Sequence, residues 1–163
     1  EGGPFAGTVH RVEHHLAHLA SAFYASPYEG AVAVSVDGFG DFASTAWGFG
    51  RDGALSLDGR VYFPHSLGAF YQTITHFLGF HHYGDEYKVM GLAPYGEPTL
   101  VDELRRVVRL LPGGTFELDL GFFRHHRVST AYQWANQTPQ VDGLYSDRLA
   151  TLLGPPRPAP IGI

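Results

Sequence analysis

The run His14-His15-Leu16-Ala17-His18 places two imidazoles four residues apart. On a helix that spacing puts both on one face, so His14 and His18 can meet a single metal ion. His15 is turned about 100° away and faces elsewhere. Zinc peptidases carry a similar HExxH pair, but here His15 stands where their glutamate base belongs, and Glu13 points wrongly. An isolated HxxxH is also what two surface histidines on an alanine-rich helix look like.

Asp37 offers a third ligand. It ends the apolar run 30–36 (GAVAVSV), at the rim where loops bring functional groups to a sheet. Two histidines and one carboxylate hold divalent metals with open positions, as in non-haem iron sites. Asp37-Gly38 is equally an ordinary turn pair. The amides of Gly38 and Gly40 can approach a phosphate or an acyl oxygen closely. Gly68 lies just inside a helix N-terminus, a natural place for an anion. Glu86 is suited to ribose hydroxyls and Lys88 to a phosphate, although a solvated surface pair has the same spacing. The doublets His81-His82 and His125-His126 also attract a metal reading, but adjacent histidines point apart on any regular element.

These residues need elements to hold them. Residues 9–25 read as a helix, with Val12, His15, Leu16, Leu19 and Phe23 recurring at helical spacing. The run 30–36 reads as a strand buried on both faces, followed by a turn-rich loop, 37–41. Segments 43–50 and 54–63 alternate as two more strands, giving a three-strand antiparallel meander. Residues 65–80 read as a second helix with Ser66 as its N-cap. A Gly-rich segment, 82–96, leads to a third helix at 99–111. Residues 115–120 suggest a strand, and the remainder is irregular with a Pro-rich end.

Composition narrows the class. The 163 residues suit one domain with a real core, and 44 % apolar with 17 % charged residues is an ordinary globular balance. A net charge of -5 gives no basic footprint, so no nucleic-acid partner is expected. No apolar stretch approaches the roughly 18 residues of a membrane span, so no membrane partner is expected either. The absence of cysteine excludes disulfides, thiolate ligands and a Cys nucleophile. No signal peptide is visible, and a cytoplasmic location is expected. The chain opens on Glu1-Gly2-Gly3-Pro4 rather than Met, which reads as a piece of a longer protein with residues 1–8 as a tag or linker.

Three segments in order carry a family resemblance: VEHHLAHLASAFYASPYEGAVAVSVDGFGD, FPHSLGAFYQTITHFLGF and GDEYKVMGLAPYG. They resemble the O-carbamoyltransferases, the family of nodulation protein U and the antibiotic carbamoyltransferases. The likeness covers residues 9–97 and the terminal LLGPPR. It implies part of an α/β actin-like ATPase fold of ribonuclease-H type, shared with the tRNA threonylcarbamoyl-transferase, over residues 9–163. It also implies a reaction. An adenylate-forming domain in the same parent chain makes carbamoyl adenylate from carbamoyl phosphate and ATP. The domain resembled here passes the carbamoyl group to a hydroxyl of a small-molecule acceptor.

In that family the HxxxH histidines and an aspartate after the next strand bind a metal, usually read as iron. These map to His14, His18 and Asp37, with a fourth ligand expected beyond residue 163. Lewis-acid activation of the carbamoyl carbonyl or a neighbouring phosphate oxygen is the chemistry such a site supplies. By the same mapping His14 and Asp37 are catalytic, and His15 is a candidate base for the acceptor hydroxyl. Gly38, Gly40 and Gly68 would stabilise negative charge, and Glu86 and Lys88 would position the nucleotide. The hydrogenase-maturation carbamoyltransferase shares the His-rich helix and the Asp-Gly segment, but GDEYKVMGLAPYG favours the antibiotic and nodulation branch. A non-catalytic metal- or nucleotide-binding module is the alternative from another class.

Overall fold

The computed structural model describes residues 6–128, 133–135, 138–140 and 143–158. Most of the expected 1–8 tag or linker lies outside these residues, since 1–5 are not among them.

Helix α1 (His14–Tyr24) starts at His14 rather than at the expected residue 9, because Glu13 caps it. The Glu13 carboxylate accepts from the His15 and Leu16 amides, which are otherwise orphaned at a helix start. Arg60 holds the same carboxylate at 3.2 Å. Val12 therefore lies outside the helix and is exposed. The buried stripe is His15, Leu19 and Phe23, at successive turns.

Strands β1 (Gly30–Gly40) and β2 (Ala43–Arg51) form an antiparallel hairpin closed by Asp41 and Phe42, both at positive φ. That pair of left-handed residues matches the two-residue turns that suit a twisted hairpin. β3 (Ala54–Leu55) and β4 (Gly59–Tyr62) both pair with β2. The expected strand 54–63 is thus two pieces, interrupted where the Ser56 hydroxyl bonds Phe49 and Asp58.

The expectation that β1 is buried on both faces is overturned. Ala33 and Ser35 are buried beneath α1, but Val32, Val34 and Val36 are 68 %, 57 % and 56 % exposed. An almost wholly apolar run cannot reveal by its own pattern which face is covered, and α1 covers one.

The expected loop at 37–41 is mostly strand. Regular pairing runs from Gly30↔Arg51 to Val36↔Thr45 and resumes at Gly40↔Ala43. Asp37, Gly38 and Phe39 therefore stand opposite Ser44 alone, as a bulge that re-aims side chains at the end of β1.

Helix α2 (Leu67–Phe77) begins at its expected cap, the Ser66 hydroxyl accepting from the Ala69 amide at 3.0 Å. The Gly-rich segment contains a short helix, α3 (Glu86–Leu92). The expected helix 99–111 is shorter: α4 (Val101–Val107) runs directly into β5 (Val108–Leu110), which pairs with β6 (Phe116–Leu118). β-Branched Val107 and Val108 suit that switch. Strands β7 (Gln133–Ala135) and β8 (Thr138–Gln140) form a separate hairpin. The stretch read as irregular also holds α5 (Asp147–Leu153). Phe77, Val107, Leu118, Phe122, Phe123 and Leu149 pack into one core, and Leu19, Phe23, Ala33 and Ala46 into another beneath α1.

Candidate metal centre and cleft

The first turn of α1 and the bulge of β1 meet at three side chains. His14 Nε2 lies 2.8 Å from Asp37 Oδ2 and 3.0 Å from His18 Nε2. His18 Nε2 is 3.5 Å from the same Asp37 oxygen. Among the described residues these three form a group whose ligand atoms all lie within 4.8 Å of one another.

The donor set fits a metal ion. Nitrogen and oxygen ligands sit about 2.1 Å from a divalent cation, so neighbouring ligand atoms at right angles are about 3 Å apart. The observed separations have that spacing. Protons serve the cluster poorly: one proton on His14 Nε2 cannot point well at both His18 and Asp37. A cation would satisfy all three lone pairs together. The Asp37 carboxyl is held below its ordinary range by the His14 hydrogen bond, against burial, with help from the Gly38 amide and both histidines.

Local packing aims these ligands. Asp41 Oδ2 accepts from the His14 amide at 2.9 Å, anchoring the hairpin turn to the start of α1. A Cβ on Gly40 would overlap the His14 ring, so Gly40 seats the imidazole. Gly38 donates its amide to Asp37 Oδ1 at 2.6 Å.

Beside the cluster is a cleft of about 810 Å³. Asp37, Gly38, Gly68 and Glu86 line it, so four of the sequence-derived site residues share one space. The first turn of α2 lies in its wall, and the positive end of a helix favours negative charge. Phe39, Tyr71 and Tyr83 supply aromatic surface.

One assignment changes, and two residues sit apart from the cleft lining. His15 is fully buried, with Nδ1 2.9 Å from Ser35 Oγ, so it cannot meet an acceptor hydroxyl as a base. Its one-residue offset from His14 turns it into the core. Gly40 packs against His14 and is not part of the cleft lining. Lys88 also lies outside the lining and pairs with Asp85 at 2.7 Å, a contact that raises the lysine pKa.

Tyr71, Gln72 and Tyr83 are absent from the sequence-derived set, because such side chains carry no spacing signal for a cleft. His125 is visible in sequence only as half of a doublet. It lines the cleft, its Nε2 donates to the Pro64 carbonyl at 2.9 Å, and burial lowers its pKa.

A family model described as Carbamoyltransferase N-terminus matches residues 4–139. The chain belongs to this family. An uncharacterized protein, sll1178, of Synechocystis is 38 % identical over 149 residues, covering 91 % of this chain and 22 % of that protein. Nodulation protein NolO of Bradyrhizobium diazoefficiens is 39 % identical over 112 residues, covering 67 % of this chain and 20 % of that protein. Nodulation protein NolNO of Sinorhizobium fredii is 39 % identical over 112 residues, with 67 % and 16 % covered. The chain thus spans about a fifth of the length of these relatives, or less. In this member of the family, His14, His18 and Asp37 sit on elements that hold them together. Among the described residues, no helix is long and apolar enough to cross a membrane.

Proposed function

We propose that this domain passes a carbamoyl group from carbamoyl adenylate to a hydroxyl of a small-molecule or sugar acceptor. The fold would be part of an actin-like ATPase fold, and the donor would come from carbamoyl phosphate and ATP on an adenylate-forming domain of the parent protein. The convergence of His14 and His18 on Asp37, which itself lines the cleft, carries this reading.

These three residues would hold a divalent cation, with iron foremost for a two-histidine, one-carboxylate set. When bound, it supplies Lewis-acid polarisation of a carbonyl or phosphate oxygen. The chain's own groups do the rest. Asp37 stays ionised through its contacts with His14 and Gly38. The positive end of α2, whose first turn lies in the cleft wall, would favour the adenylate's negative charge. Glu86, which lines the same cleft, would accept from ribose hydroxyls.

Calorimetric titration of a hydrolysis-resistant acyl-adenylate analogue into the cobalt-loaded chain tests the reading. Binding should weaken at least about tenfold on chelation or in Asp37→Asn. Equal binding by loaded, chelated and Asp37→Asn protein would contradict it.

A further inference from the structure

We propose that Ser66 is a positioning residue for the Asp37 carboxylate, tying that ligand to the first turn of α2. The inference rests on the metal reading above and deepens it.

Ser66 is fully buried. Its Oγ lies 2.7 Å from the Gly38 carbonyl and 3.0 Å from the Asp37 carbonyl, and it accepts from the Ala69 amide at 3.0 Å. One hydroxyl therefore caps α2 and holds the β1 bulge. The bulge needs such a partner, since three of its residues face only Ser44 across the sheet.

The peptide between Asp37 and Gly38 explains how this reaches the ligand. Its carbonyl meets Ser66, and its N–H donates to Asp37 Oδ1. With Oδ1 held there, Oδ2 is the oxygen that faces His14 and His18. Gly68 packs against the same peptide: a Cβ there would fall 2.6 Å from the Asp37 carbonyl oxygen and 2.7 Å from the Gly38 nitrogen. Turning this peptide would swing the carboxylate away from the histidines.

The test uses the full 163-residue chain with Co²⁺ as probe, reading affinity and the visible absorption band. Ser66→Ala should weaken Co²⁺ binding at least about tenfold and alter the band. Ser146→Ala, which deletes the Ser146 hydrogen bond to the Gly121 carbonyl at the start of α5, should change neither. Circular dichroism checks folding, and if Ser66→Ala does not fold, Gly68→Ala is judged by the same criteria. A wild-type band and affinity in the folded variant, or an equal change in Ser146→Ala, overturns the proposal. Absence of any His14-dependent band in the wild type overturns the metal reading and this proposal with it.

Discussion

The imidazole of His14 and the bare Cα of Gly40 are in close contact: a Cβ on Gly40 would fall 2.1 Å from His14 Cδ2 and 2.4 Å from Nε2. The missing side chain of one residue is the seat of the other.

Gly40→Ala should therefore displace the His14 ring and cost at least about tenfold in metal affinity. Gly91→Ala, where a Cβ meets nothing within 4 Å, should leave affinity unchanged. Co²⁺ titration of both variants checks this, and equal affinities would refute the seating role.

Leu19 is fully buried between α1 and the sheet. Leu19→Ala should lower unfolding free energy by about 2–5 kcal/mol. Urea denaturation measures it, and a loss well below that range would mean the site collapses around the smaller residue.

The histidine pair and Asp37 are legible in sequence because helical spacing and a strand end are short-range signals. The cap at Ser66 is legible for the same reason. Its second task is not, because it depends on the β1 bulge, and a bulge is fixed by pairing with a distant strand. The exposed valines of β1 escape sequence reasoning, since their chemistry suits either a covered or an open face. So does α5, because Asp147–Leu153 is too short to show a clear helical period.

Asp85 is buried and accepts from Lys88 and the His82 amide. Burial raises its pKa, but the Lys88 and His82 contacts outweigh this and lower it overall. A carboxyl with a lowered native pKa binds protons more readily when unfolded. Its stabilisation is present above the unfolded value, about pH 4, and is lost as pH falls through the native value. Asp85→Asn should cost about 1 kcal/mol at pH 7 and progressively less below about pH 4. Urea midpoints for both proteins at several pH values check the trend, and a gap that widens in acid would contradict it.

A cation held only by the folded chain must stabilise it. At about 100 times Kd the gain is about 2.7 kcal/mol, read as a rise in Tm. His18→Ala should lose most of that rise, and an undiminished rise would place the cation elsewhere.

Metal stoichiometry tests the central claim most directly. After equilibrium dialysis against Co²⁺ and elemental analysis, the wild-type chain should hold one ion, and His14→Ala, His18→Ala and Asp37→Asn should each hold far less at the same free concentration. A wild-type chain that holds none, or variants that hold as much, would contradict the account.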